Sequence, residues 1–421
     1  MSTERKWSLF VALVVLVAGF LSFLGHNGHI LGTMQAHTSD PLGYYQFLPG
    51  AFIHHDLLGL PYVHILEDGS RLSLFNIGVA YMQAPFFLVA HALCLGGLAA
   101  PDGYTWPYAV AMGIAAAVYV ACGCGLLVNV LGKRFGYGTA AVAVLVLFGC
   151  TNLYYYTAME PGMSHAFSFF LFTVLLWGTV RMHEAPTSRT AILMLLAGAM
   201  IVLVRPANVV ALAVPLLYGA AGPRAVWARM RWPIENLRTF GIGAFLCLLL
   251  VAPQLWYWHA VTGKLLVFTY GTKGEGFFWS HPHLWDVLWH PWNGWFLYSP
   301  VMLFVMAALM YMAFRGSEGA RPVLLVWLIA WYIIASWWSW WMGGAFGHRG
   351  FVEYLAFLSV PAAWLVRRIR SAPLPVRGTA IALGVVLAYF SIGLSWSYLS
   401  PWDGPEWTMQ SVQREYVRLL P

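Results

Sequence analysis

The sequence predicts an all-α polytopic membrane protein with about eleven transmembrane helices. Three observations predict it. Of 421 residues, 60% are hydrophobic and 9% are charged, whereas a soluble domain carries about 25% charged residues. Apolar runs of roughly 20 residues, the length that crosses a bilayer as a helix, recur along the chain. Many of the 22 Trp, 21 Tyr and 26 Phe sit where those runs end, the headgroup level that amphipathic rings favour.

The first run, 7–25, follows Arg5 and Lys6 without a convincing small-residue cleavage site, so it is expected to be a retained helix and not a removed signal peptide. The other candidates are 74–100, 106–131, 139–158, 162–180, 190–204, 207–221, 239–261, 296–314, 322–342, 351–366 and 378–398. Charge decides which of them cross, because loops rich in Lys and Arg stay cytoplasmic. The basic clusters are Arg5/Lys6, Lys133/Arg134, Arg181 with Arg189, Arg224/Arg229/Arg231/Arg238, Arg315 with Arg321, and Arg367/Arg368/Arg370/Arg377. If every run crossed, the first cluster would lie opposite the rest. If 74–100, which contains Pro85, is broken there and stays juxtamembrane or re-entrant, all six share one side. That arrangement puts 16 of the 23 basic residues inside and 12 of the 16 acidic residues outside or near the outer face. The N-terminus is then inside and the C-terminus outside.

The expected organisation is one integral membrane domain, 1–421. It has a first extracytoplasmic loop with juxtamembrane segments (26–105), a second large outer loop (262–295) and an extracytoplasmic tail (399–421). Cys94, Cys122, Cys124, Cys150 and Cys247 all lie inside apolar runs and read as packing residues. The net charge of +7 does not indicate nucleic acid, since the basic residues fall in short loops between spans.

Two outer turns carry polar residues. Between Arg189 and Arg224 the chain must cross twice on a short apolar stretch, so the turn Arg205-Pro206 is expected below the outer surface. An intramembrane Arg is costly and signals function, while snorkelling to the interface is the plainer alternative. The turn Glu160-Pro161-Gly162 places Glu160 and His165 near the same face. In the first loop, His37-Thr-Ser-Asp-Pro-Leu-Gly-Tyr-Tyr-Gln-Phe-Leu-Pro49 offers Ser39 or Asp40 as the cap of a short helix starting at Pro41. Asp40 is either that cap alone or a carboxylate that takes a proton from an acceptor hydroxyl. It lies ahead of a segment containing Tyr44 and Tyr45 and ending in His54-His55-Asp56.

A first helix followed by an outer loop that opens with an acidic residue and a Tyr-containing juxtamembrane helix resembles the GT-C class of membrane glycosyltransferases. That class includes the protein O-mannosyltransferases and the bacterial lipid A aminoarabinose transferases. The stretches carrying the local resemblance are Asp40-Pro-Leu-Gly-Tyr-Tyr-Gln-Phe-Leu-Pro49, Gly162-Met-Ser-His-Ala-Phe167, Val204-Arg-Pro-Ala-Asn208, Gly274-Glu-Gly-Phe277 and Phe346-Gly-His-Arg-Gly350. The resemblance implies a GT-C-like fold in a bacterial inner (plasma) membrane, with 74–100 matching the second juxtamembrane segment. It also implies transfer of a sugar from a polyprenyl-phosphate donor to a glycan, lipid or protein acceptor at the extracytoplasmic face, among membrane lipids and without a cofactor. One departure stands out: the mannosyltransferase and aminoarabinose branches usually show Asp-Glu in this loop. Here Asp40 precedes Pro41 and the second acidic partner has no counterpart.

Such a transfer needs a base for the acceptor hydroxyl and positive charge for the departing phosphate. Asp40 is the expected base. Arg205 and Arg349 are the expected phosphate ligands, with His348 and Lys273 beside them; glycines flanking Arg349 permit close backbone approach. Tyr44, Tyr45, His55, Asp56, Glu160, His165 and Glu275 are candidates for the sugar and acceptor pocket. Asp102 reads as a helix-end residue. His281, His283 and His290 match no standard zinc spacing, so no metal is expected. The stretch Trp331 to Trp341, with five Trp and one Tyr, divides between an interfacial belt and rings that stack on a sugar or line a prenyl groove. A transporter or flippase of a lipid-linked saccharide is the alternative function. The uneven clustering of outer polar residues, with no second copy of the first loop, favours the enzyme.

Overall fold

The structure is a computed structural model that describes residues 3–29, 31, 39–220, 222–317 and 319–420. His37 and Thr38, at the head of the first-loop stretch, lie outside the described residues. The first half of the chain forms α1 (Thr3–Asn27), α2 (Ser39–Tyr45), α3 (Phe47–Phe52), the strands β1 (His64–Ile65) and β2 (Arg71–Leu72), α4 (Gly78–Leu95), α5 (Trp106–Phe135), α6 (Tyr137–Gly149), α7 (Leu153–Ala158), α8 (Ser164–Glu184) and α9 (Ser188–Val204). The second half adds α10 (Ala213–Leu217), α11 (Pro223–Glu235), α12 (Leu237–Thr262), α13 (Asp286–Trp289), α14 (Trp295–Tyr298), α15 (Val301–Phe314), α16 (Ala320–Ser336), α17 (Leu355–Arg370), α18 (Leu374–Ser397) and α19 (Met409–Arg418). The two strands form an antiparallel ladder, His64 opposite Leu72.

Among the described residues six helices, α1, α4, α5, α8, α12 and α18, are long and apolar enough to cross a membrane. Their ends carry ordinary signals. Helix α5 starts after an extended Thr105 with Pro107 in its first turn, carries Lys133 and Arg134 in its last turn, and stops at Gly136 with φ +87°. At α9 the Thr187 side chain accepts from the Thr190 N–H at 3.2 Å.

Besides splitting run 139–158 into α6 and α7 and run 296–314 into α14 and α15, the structure differs from the sequence reading in three places. Helix α4 continues through Pro85 and does not break there. Proline removes one helical N–H, and flanking turns and packing can carry the helix past it. The run 207–221 is a 3-10 segment, Pro206–Leu212, followed by the short α10, because Pro206 ends α9 and leaves too few residues for a second long helix. The basic stretch after Gly222 is a helix, α11, with Arg224, Arg229 and Arg231 on it.

The basic clusters gather at one end of the bundle. Arg367 donates to the Arg134 carbonyl at 3.2 Å and Arg370 to the Thr139 hydroxyl at 3.1 Å. Lys133 pairs with Glu184 at 3.7 Å, Asn129 donates to Glu4, and Arg229 caps α10 through the Leu216 carbonyl at 2.9 Å. Loops 26–105 and 262–295 and the tail meet at the other end. There Asn27 donates to the Ala158 carbonyl at 3.2 Å, His64 meets the Thr272 carbonyl at 3.2 Å, and Trp292 donates to the Gly404 carbonyl at 2.9 Å. Both ends of α4 touch elements of that second end. Gly78 lies against the Leu203 backbone, where a Cβ would come within 2.7 Å. At its far end His91 bonds the Tyr108 hydroxyl at 2.7 Å, and the following loop accepts a bond from Tyr45 at the Gly103 carbonyl.

Candidate functional site

Three chain segments bring polar side chains together where these loops meet. Helix α2 carries Asp40 and Tyr44 in its first and last turns. It is pressed into place by two glycines: a Cβ at Gly162 would lie 2.6 Å from the Pro41 Cβ, and one at Gly43 would overlap the Phe75 ring. The second segment is the end of α9. Arg205 is extended there, at φ −147°, and its carbonyl accepts from the Asn208 N–H at 2.9 Å. The third is the loop after α16, where Met342, Gly343 and Gly347 take positive φ. Its Phe346 N–H donates to the Tyr156 hydroxyl at 3.1 Å, so Arg349 is delivered on an anchored backbone.

The Arg349 guanidinium meets the Asp40 carboxylate at 3.2 Å. Burial disfavours charge on Arg349, but Asp40, with Tyr156 and Glu160 behind it, more than offsets this and holds its proton tighter than usual. Residues 145 to 188 positions before Glu353 supply its partners in a second cluster. The fully buried Glu353 carboxylate accepts from His165 Nδ1 at 3.0 Å and from Asn208 Nδ2 at 3.0 Å, with Arg205 at 3.7 Å. An Arg205 guanidinium nitrogen lies 3.0 Å from both ring nitrogens of His165. Those nitrogens are too close together for one atom to lie along both lone pairs, so the guanidinium rests over the imidazole face.

Both clusters border one cavity of about 1780 Å³. Its polar end is lined by Asp40, Tyr44, Tyr62, His165, Arg205, Tyr270, Lys273, Glu275 and Arg349. Lys273 and Glu275 pair at 3.4 Å. From there the cavity runs between α8, α9 and α12 along Leu175, Met194, Leu195, Val202, Val251 and Leu255. It reaches His183, Arg229 and Trp232 at the end of the bundle that carries the basic clusters. Trp337 and Trp338 form part of the wall, whereas Trp340 stacks on His283 and Trp292 outside it.

Of the residues singled out in the sequence, Asp40, Tyr44, His165, Arg205, Lys273, Glu275 and Arg349 share this cavity. Glu160 lies behind Asp40 and Arg349, in their electrostatic field and bonded to Tyr155. Four others stand apart. Tyr45 is buried against Phe87 and Tyr104. His55 turns back to the Ala51 carbonyl, and Asp56 caps the Leu58 and Gly59 N–H groups at 2.9 Å on the surface. His348 is buried with Nε2 on the Trp340 carbonyl at 2.8 Å; burial pushes its pKa down to about 4, so it supports the loop as a neutral ring. Asp102 caps the turn before α5. Sequence reasoning missed Glu353, Asn208 and Tyr270. For Glu353 a signal existed, since an acid inside the apolar run 351–366 calls for a partner.

Among the described residues no group of three or more His, Cys, Asp and Glu gathers to hold a metal. Comparison of the chain with protein-family models, curated proteins and solved structures finds no match.

Proposed function

We propose that this chain is a GT-C-type membrane glycosyltransferase that moves a sugar from a polyprenyl-phosphate donor to an acceptor hydroxyl outside the membrane. The observation that carries the reading is the Asp40–Arg349 pair, 3.2 Å apart, at the polar mouth of a long cavity with greasy walls. Asp40 accepts the proton of the acceptor hydroxyl, whose oxygen bonds the sugar's anomeric carbon. The bond from that carbon to the phosphate oxygen breaks, and the leaving polyprenyl phosphate keeps the electron pair beside Arg349 and Arg205. As Asp40 loses its charge to the proton, its claim on Arg349 lapses while the phosphate's charge grows. Lys273 and Glu275 face the same space, and Tyr44, Tyr270 and His165 shape the sugar pocket. Asp40 thus fills the acidic role without the second carboxylate of related branches.

Eleven spans with the N-terminus inside put this mouth at the extracytoplasmic face of the bacterial plasma membrane. Parity supports the count. Helices α1 and α5 run antiparallel along their length, Phe23 against Gly113 and Ser8 against Gly125, so the chain between them makes an even number of crossings. Among the described residues one long apolar helix, α4, lies between them, which supports the reading that it rests along the outer surface. The flippase alternative draws on the cavity's reach to His183 and Arg229. Its middle stretch is almost wholly apolar, a wall suited to a prenyl tail and hostile to a passing headgroup.

The test is transfer from radiolabelled polyprenyl-phosphate sugars to candidate acceptors by purified protein in nanodiscs. Asp40→Asn in a folded protein is expected to lower the rate by about 10²- to 10⁴-fold. Label that changes leaflet without a new glycosidic bond would replace the transferase reading with the flippase one.

A further inference from the structure

Glu353 is a carboxylate with no exposure, in a chain whose acidic residues otherwise favour loops and helix ends. A buried charge persists only where partners compensate it. Here the compensation is complete and directional: Asn208 Nδ2 donates to one oxygen and His165 Nδ1 to the other, each at 3.0 Å. Nδ1 must therefore carry the ring proton. With Arg205 lying over the ring, a second ring proton would set two cations face to face, so the imidazole is neutral. Arg205 is gripped twice, by the ring beneath it and by the carboxylate at 3.7 Å. The side chain nonetheless stays partly open to the cavity, 23% exposed.

We propose that Glu353 is a positioning residue, which locks His165 as its Nδ1–H tautomer and uses that ring to hold the Arg205 guanidinium aimed into the cavity for a phosphate. The proposal rests on the transferase reading for the identity of the anion, and on geometry alone for the lock. Glu353 does not touch the cavity contents. Its charge acts through Arg205, in contrast to Arg349, whose partner Asp40 stands in the open mouth. The site thus holds one guanidinium fixed in advance and one that changes partner during the reaction. A fixed donor avoids reorganisation as charge develops on the leaving group.

Two measurements test it. Nitrogen-15 NMR of histidine-labelled protein in liposomes, with the His165 signal identified by its loss in His165→Asn, should show a neutral Nδ1–H ring. An Nε2–H or doubly protonated ring in the wild type would overturn the lock without any Glu353 variant being needed. In the second, Glu353→Gln should raise the dissociation constant for polyprenyl phosphate about tenfold, because an amide offers one acceptor where two donors arrive. Adding Asn208→Asp, which returns a carboxylate to the cluster with donor and acceptor exchanged, should restore binding to within about threefold. Unchanged or tighter binding in Glu353→Gln would mean that the carboxylate only neutralises Arg205, and the proposal fails. Absence of binding by the wild type would count against the transferase reading, and the tautomer would still judge Glu353.

Discussion

Glu160 shows how strongly a single side chain here answers to its surroundings. It sits in the turn between α7 and α8, outside the spanning helices, and burial lifts its carboxyl to about 7, with Arg349 and a Tyr155 hydrogen bond opposing and Asp40 reinforcing. The folded pKa is above the unfolded one, so the folded state holds the proton better. The stability this confers is complete at or below the unfolded value of 4.5 and is lost as pH rises through about 7. Glu160→Gln keeps the neutral shape at every pH. It is expected to raise the thermal midpoint by a few degrees at about pH 8 and leave it unchanged at about pH 5. Equal shifts at both values, in a thermal scan of nanodisc-embedded protein, would refute the assignment. The residue scale also shows how much of the site was legible. Asp40, Arg205 and Arg349 were each readable as a charge in a turn, with a helix cap as the plain alternative for Asp40 and snorkelling for Arg205. Glu353 carried one signal, as an acid inside an apolar run, but its partners His165 and Asn208 lie 188 and 145 residues away. Proximity of that kind exists only after folding.

At the scale of elements, the cavity exists because α8, α9 and α12 meet across small residues. Gly178 admits the Met194 side chain and Gly243 admits Leu195; a Cβ at either would overlap its neighbour. Gly198 and Ala199 keep the lining of α9 low. The hydropathy of these helices was readable, but their spacing was not: apolar content says that a helix is buried in something, without saying whether protein or lipid is its neighbour. For the same reason the run after Pro206 read as a span, although the local backbone closes it into a 3-10 turn. If the groove takes a prenyl tail, Ala199→Trp should block it while leaving the polar mouth untouched. Transfer from a long-chain donor is expected to fall at least about tenfold, and transfer from a short-chain analogue to stay within about threefold. An equal loss for both donors would place the damage in the fold or the mouth and remove the groove from the binding site.

For the whole molecule, the packing separates the basic clusters from the Asp40–Arg349 end of the bundle. The positive-inside pattern put six basic clusters on one side, and the folded chain joins Glu4 to Asn129, Lys133 to Glu184 and Arg367 to the Arg134 carbonyl at one end of the bundle. Asp40 and Arg349 lie at the other. Helix α4 has the length and composition of a span, while both its ends touch elements at the Asp40–Arg349 end of the bundle. A membrane-impermeant thiol reagent resolves whether it crosses. In right-side-out vesicles, with the exposed native Cys122 replaced by Ser, Asp102→Cys after α4 should label at once, and Arg231→Cys on α11 should label only after the membrane is opened. If α4 crossed, every segment after it would change sides, so residue 102 would be protected and residue 231 would label at once. The antiparallel pairing of α1 with α5, Phe23 against Gly113 and Ser8 against Gly125, would then have to break.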